Sequence, residues 1–188
     1  TLIKEFSNSI TMHFEIEKCA VIHMKKGKVV NSPIVTGIPL LTGEENYKYL
    51  GILQANQILH EEIKDKTKKE YFGRVRAILR KGISARNTTS SIKAFAMPVL
   101  RYGFGVIRWT QSELRAIDCK TRKILHKNKF NHPKSNIHRL YLSRQKGGRG
   151  LIGAIDCHRQ ECTKMALYLN ANTEGDDLVD IVKIAEKK

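Results

Sequence analysis

The chain has 188 residues, enough for one domain or two small ones with a real core. Its 41% apolar content argues against disorder, no apolar run is long enough to cross a bilayer, and no stretch reads as a secretory signal. Lysine and arginine outnumber acids 34 to 18, a net charge of +16, which predicts affinity for a polyanion.

Taken in order, Leu2 to Met12 reads as a short amphipathic helix with Leu2, Ile3, Phe6 and Ile10 on one side. Phe14 to Met24 turns toward strand, through the apolar run Cys19 to Ile22, and Lys26-Gly27 makes a hairpin turn into Val29-Val30. Pro33, Gly37 and Pro39 punctuate a strand-and-loop region, and Tyr47 to Ile52 reads as a strand ending at Gly51. From Ile58 to Gly82 the spacing predicts a long charged helix with Ile63, Phe72, Val75 and Leu79 on its apolar side. Gly73 weakens it and Gly82 ends it.

The next helix is expected from about Asn87 to Ile107. Ile92, Phe95, Val99, Tyr102, Val106 and Trp109 recur at three and four residues, and Leu100, Phe104 and Ile107 fill the neighbouring face. It should be the central, buried helix, kinked at Pro98. Thr110 to Glu113 fits a capping box and opens another helix. Leu114, Ile117 and Leu125 point to its core side, and Arg115, Lys120, Arg122 and Lys123 lie mostly elsewhere. A loop with His132-Pro133 follows. A helix from Gly153 to Asn170 runs through Ile155, Cys162, Met165, Ala166 and Leu169, and a last acidic helix holds Leu178, Ile181, Val182 and Ile184. The pattern is β-rich to about residue 53 and helical afterwards, which places the chain in the α+β class.

Local motifs complete no catalytic constellation. The four cysteines form no disulfide framework, which fits a reducing, intracellular compartment. Cys157-His158 with Cys162 lacks zinc-ligand spacing, and Cys162 shares an apolar helix face with Ile155, so a core cysteine and no metal site is the expectation. A nucleophilic site needs Ser or Cys beside His and an orienting acid, and nothing local suggests one. Glu15 and Glu17 have no third partner for two-metal chemistry, and no glycine-rich nucleotide loop is present.

Binding residues are easier to name. From Arg101 to Arg149 there are thirteen Lys/Arg and two acids, Glu113 and Asp118. The segment Arg139 to Leu151, RLYLSRQKGGRGL, sets four cations around three glycines and contains no acid. Arginine forks suit phosphate oxygens, and glycines let a partner approach the main chain. Arg101, Arg108, Arg115, Arg122, Lys123, Arg139, Tyr141, Arg144, Lys146 and Arg149 are therefore candidates for one continuous nucleic-acid track. Among nearby aromatics, core packing is the favoured reading of Tyr102 and Trp109.

These segments carry a resemblance. The run AFAMPVLRYGFGVIRWTQSELRAIDCKTRKIL, then HP, then RLYLSRQKGGRGL, resembles the region after the polymerase palm in reverse transcriptases of non-long-terminal-repeat retrotransposons. FEIEKCAVI at Phe14 to Ile22 resembles the lysine-bearing palm segment that follows the catalytic Asp-Asp box, and YKYLGI at Tyr47 to Ile52 resembles the primer-gripping hairpin. The resemblance implies a palm remnant over 1–53, a helical thumb over 54–128, and a basic Gly/Arg linker with C-terminal helices over 129–188. It implies that Lys18 lies near the phosphates of an incoming nucleotide, that Tyr49, Leu50 and Gly51 position a primer end, and that Arg139, Arg144 and Arg149 hold backbone. It further implies Mg2+ as cofactor of the full-length enzyme, RNA or DNA as partner, a nuclear setting, and missing fingers, palm and endonuclease segments. The chain lacks the Asp-Asp box, has Glu15 in place of an expected glycine and has Ser143 in place of an expected proline. A fragment that is inactive alone is therefore expected. The alternative is a non-catalytic helical module whose acidic tail meets a protein partner.

Overall fold

The computed structural model describes residues 2–12, 15, 19–26, 28–30, 32, 37–41, 47–54, 58–132, 134–171, 179 and 182. Two compact units divide the chain, Thr1–Leu59 and His60–Lys188. The fold is α+β: two small antiparallel hairpins lie in the first unit and a helical assembly makes the second. The first boundary thus falls six residues after 53, and the segments 54–128 and 129–188 share one unit from His60 onward.

In the first unit, helix α1 spans Leu2–Ser9. It ends where Thr11 turns left-handed at φ 54 and the Met12 N–H donates to the Ser7 carbonyl at 3.0 Å. Strands β1 (Met24–Lys25) and β2 (Lys28–Val29) pair Met24 with Val29 around the expected turn at Lys26. Strands β3 (Tyr47–Tyr49) and β4 (Ile52–Gln54) pair Tyr49 with Ile52. Gly51 therefore does not end a strand. Leu50 at φ 46 and Gly51 at φ 84 form a two-residue turn of the kind that matches strand twist. The acidic helix expected near the C-terminus and Lys18 lie outside the described residues, apart from Val179 and Val182, both helical.

The second unit begins with α2, His60–Arg80, whose first turn carries Glu61 and Glu62 and whose last turn carries Arg80, the charge order a helix dipole favours. Gly82 at φ +62 follows and closes it. Helix α3 (Ala85–Ser91) starts at Ser84, whose hydroxyl accepts from the Asn87 N–H at 3.3 Å. It runs without a break through a widened π turn, Ile92–Ala96, into α4 (Met97–Gly103). The Met97 N–H donates five residues back to Ile92. Pro98 has no N–H and its ring strikes a normal preceding turn, so the wider turn gives it room. The expected disturbance at Pro98 takes this form.

Helix α5, Gln111–Lys127, opens with the complete capping box. The Glu113 N–H donates to Thr110 Oγ1 at 3.3 Å, and the Thr110 N–H donates to Glu113 Oε2 at 2.7 Å. A one-turn helix α6 (His138–Tyr141), a 3-10 turn (Arg144–Lys146) and α7 (Ala154–Ala171) complete the unit. The core joins Tyr71, Phe72 and Val75 of α2, Ile92, Ala96, Met97 and Leu100 of the α3–α4 run, Leu114, Ile117 and Leu125 of α5, and Cys157 of α7. The central helical run is buried as expected at Ile92, Leu100, Phe104 and Ile107, but not along the whole of the expected apolar surface. Phe95, Tyr102 and Val106 are exposed, while Ala96, Met97, Leu100 and Phe104 are buried. Trp109 is half-buried, its ring edge-on to Phe104 at 6.0 Å. Cys162 is exposed, and the core cysteine is Cys157, five residues earlier.

Candidate nucleic-acid interface

Helices α2 and α5 touch through Phe72, Ile117 and Ile124, and their outer flanks leave a trough between them. At one end a hollow of about 400 Å³ is lined by Arg76, Arg80, Lys120, Lys123, Ile124, Lys127 and Asn128: five cations and no acid. Four residues separate Arg76 from Arg80, and three then four separate Lys120, Lys123 and Lys127, so each set projects from one side of its helix. An adjoining hollow of about 470 Å³ shares Arg76 and Lys120, which joins the two. It adds Lys68, Lys69, Asp65 and Glu113. Both acids there are engaged: Asp65 pairs with Lys68 at 2.7 Å, and Glu113 accepts from Lys64 at 2.9 Å. Phe72 forms part of the floor, with Lys120 Nζ 4.6 Å from its ring centre.

The same pairing removes Lys64 from any ligand role. Its side chain is only 5% exposed and is also 2.9 Å from Glu61. Burial acts to lower its pKa, but the two carboxylates outweigh that and hold the ammonium above its ordinary value. Burial likewise pushes the Glu113 carboxyl up, but Thr110 and Lys64 together hold it below the usual carboxylate range.

The ten sequence candidates scatter over several surfaces. Arg101 Nε lies 3.1 Å from Glu161 Oε1, an ion pair that ties α4 to α7. Arg122 donates to the Tyr141 hydroxyl at 3.1 Å, and both stand beside Asp118. Asp118 is buried and accepts from the Ala154 N–H at 2.7 Å and the Ile155 N–H at 3.4 Å, capping α7 from α5. Burial lifts its carboxyl above the usual range against the pull of those two donors. Arg115 lies seven residues from Arg122 and so on that same flank of α5. Arg108 is exposed just ahead of Trp109. Of the ten, Lys123 alone lines the trough. Arg101 and Arg122 are therefore held by Glu161 and Tyr141 rather than standing free on the single track expected over 101–149.

Arg139 on α6 and Arg144, Lys146 and Arg149 after it do share the stretch that leads to α7. Backbone bonds fix it: Arg149 N–H to Arg139, Gly150 N–H to Leu142 and Leu151 N–H to Leu140, each at 2.8 Å. The glycines here serve the fold before any ligand. A Cβ on Gly148 would lie 2.0 Å from the Leu142 carbonyl oxygen, and Gly147 and Gly150 hold φ +76 and +67. Arg149 stacks 4.6 Å over Phe130. Ser143, at φ −60, keeps the backbone angle of the proline expected in its place. In the first unit, Tyr49, Leu50 and Gly51 form the exposed tip of the β3–β4 hairpin.

The ten candidates left out Lys68, Lys69, Arg76, Arg80, Lys120 and Lys127, which line the trough, although Lys120 and Lys127 are among the thirteen cations of 101–149. On α2 seven cations accompany four acids, which reads as a balanced, solvated helix. The usable signal was order: all four acids fall at or before Glu70, whereas Arg74, Arg76 and Arg80 follow it. Among the described residues no three His, Cys, Asp or Glu side chains converge to hold a metal ion, and no helix is long and apolar enough to cross a membrane. Comparison with protein-family models, curated proteins and solved structures finds no match in any of the three. The likeness to reverse transcriptases rests on the quoted motifs alone.

Proposed function

We propose that the chain binds nucleic acid through its sugar-phosphate backbone, as part of an RNA-directed DNA polymerase of a non-long-terminal-repeat retrotransposon. The trough between α2 and α5 carries this reading, because five cations face one hollow with no acid among its lining residues. Such a surface is relieved electrostatically by a row of phosphates and carries no base-reading pattern, so binding is independent of sequence. The polymerase part of the proposal draws on the motif order, in which the helical unit takes the place of a thumb. Arg76→Glu with Arg80→Glu should weaken binding to a single-stranded or hybrid oligonucleotide at least about tenfold, since each reversal replaces attraction with repulsion. Both residues are exposed, so the melting temperature should hold. Unaltered affinity in the double variant removes the trough as the site. The polymerase reading is tested separately, by looking for an Asp-Asp box in coding sequence upstream of Thr1.

A second reading, a protein-interaction module, draws on exposed apolar side chains. Met165 and Val106 are exposed, and a Cβ on Gly105 would lie 3.1 Å from Met165 Cε. Tyr102, Leu167 and Tyr168 are exposed on the same two helical stretches. A partner held this way stays bound after nuclease treatment, and one held through nucleic acid is released.

A further inference from the structure

A second set of cations lies on and against the α3–α4 run. Arg74 donates to the Phe95 carbonyl at 2.8 Å, which marks the side of α2 where the α3–α4 run lies. Arg76 comes two residues later, about 200° further round the helix, and lines the trough. On the α3–α4 run, Lys93 brings its Nζ near Gly150, and the Arg144 stem approaches the same glycine. A Cβ on Gly150 would lie 3.9 Å from Lys93 Nζ and 3.7 Å from Arg144 Cγ. Arg144 Nη2 also reaches the Ala85 carbonyl at 3.5 Å. Lys93 and Arg144 are exposed, and neither forms an ion pair among the described residues.

The placement is built in by the fold. Lys93 stands on the widened π turn, a feature that often accompanies function. Arg144 is carried by a segment that backbone bonds and Gly148 hold in one conformation, so little freedom is lost when a ligand arrives. Gly150 adds no side chain beside Lys93 Nζ and the Arg144 stem. Two like charges on one surface are relieved by an anion near both. A guanidinium fork beside an ammonium suits the tetrahedral oxygens of a phosphate.

We infer that Lys93 and Arg144 form a second phosphate site, so that this unit holds two separate backbone segments at once, an assignment that rests on the nucleic-acid reading of the trough. Two short thymidine oligonucleotides, one with a donor dye and one with an acceptor, are mixed with the full chain, and energy transfer reports both on one molecule. The wild-type chain should give transfer. Lys93→Ala with Arg144→Ala should lose it at least about tenfold, while affinity for a single oligonucleotide falls less than about threefold, as expected of independent sites. Transfer unchanged in that variant overturns the second site, as does a wild-type chain that binds one oligonucleotide and never two. A wild-type chain that binds neither removes the reading of the trough as well, which separates the two failures.

Discussion

At the level of single residues, sequence reveals the sign of a charge and hides its partner. Arg101 falls in line with the other cations of its stretch, yet Glu161, sixty residues later, holds it. Asp118 looked like one of two stray acids in a basic region, and it caps a helix that starts at Ala154. Tyr71 makes the cost of burial measurable. It is 1% exposed, its hydroxyl lies 3.2 Å from Thr121 Oγ1, and burial pushes its pKa from 10.0 to about 12. As pH rises, the unfolded chain loses this proton first, so stability falls between the ordinary and the raised value. Tyr71→Phe removes that contribution. Its unfolding free energy in urea should fall less than the wild type's over this interval, by up to about 2 kcal/mol. Parallel pH profiles would contradict the described burial.

Among the elements, the helices were legible because their signals are local: the capping box at Thr110, the glycine after Arg80, and the apolar spacing of α5. The inward face of the α3–α4 run was legible in part. Ile92, Leu100, Phe104 and Ile107 are buried as expected, but Phe95 and Tyr102 are exposed, and Ala96 and Met97, at and just after the π turn of Ile92–Ala96, take core positions. Cys162 was misplaced for a related reason. The face it shares with Ile155 is only partly covered, and the deepest position of α7 belongs to Cys157. Two glycines separate local from tertiary demands. Gly73 is exposed within α2 with nothing within 4 Å of an added Cβ, so Gly73→Ala should stabilise the chain by about 0.5–1 kcal/mol in urea unfolding. Gly148→Ala drives a methyl into a backbone carbonyl and should cost about 2 kcal/mol or more. If Gly148→Ala proves neutral, the crossing of the Arg139–Leu151 segment is wrong.

For the whole molecule, composition gave the polyanion expectation, and the α+β order followed from where strand patterns stop and helical ones begin. Where the positive surface lies was hidden, because it forms between α2, which ends at Arg80, and α5, which begins only at Gln111. The richest linear run of cations, 101–149, is divided by packing. Some members are tied to Glu161 or Tyr141, some ride on the Gly/Arg segment, and Lys120, Lys123 and Lys127 join Arg76 and Arg80 across the trough. Linear density is therefore a poor guide to a surface assembled by tertiary contacts.

The salt dependence of oligonucleotide binding tests the central claim most directly. With about five phosphates held in the trough, the logarithm of affinity for a single strand should fall against the logarithm of salt with a slope near −3.5, and Arg76→Ala with Arg80→Ala should make it shallower by about 1.4. A slope near zero, or one that the two substitutions leave unaltered, would contradict it.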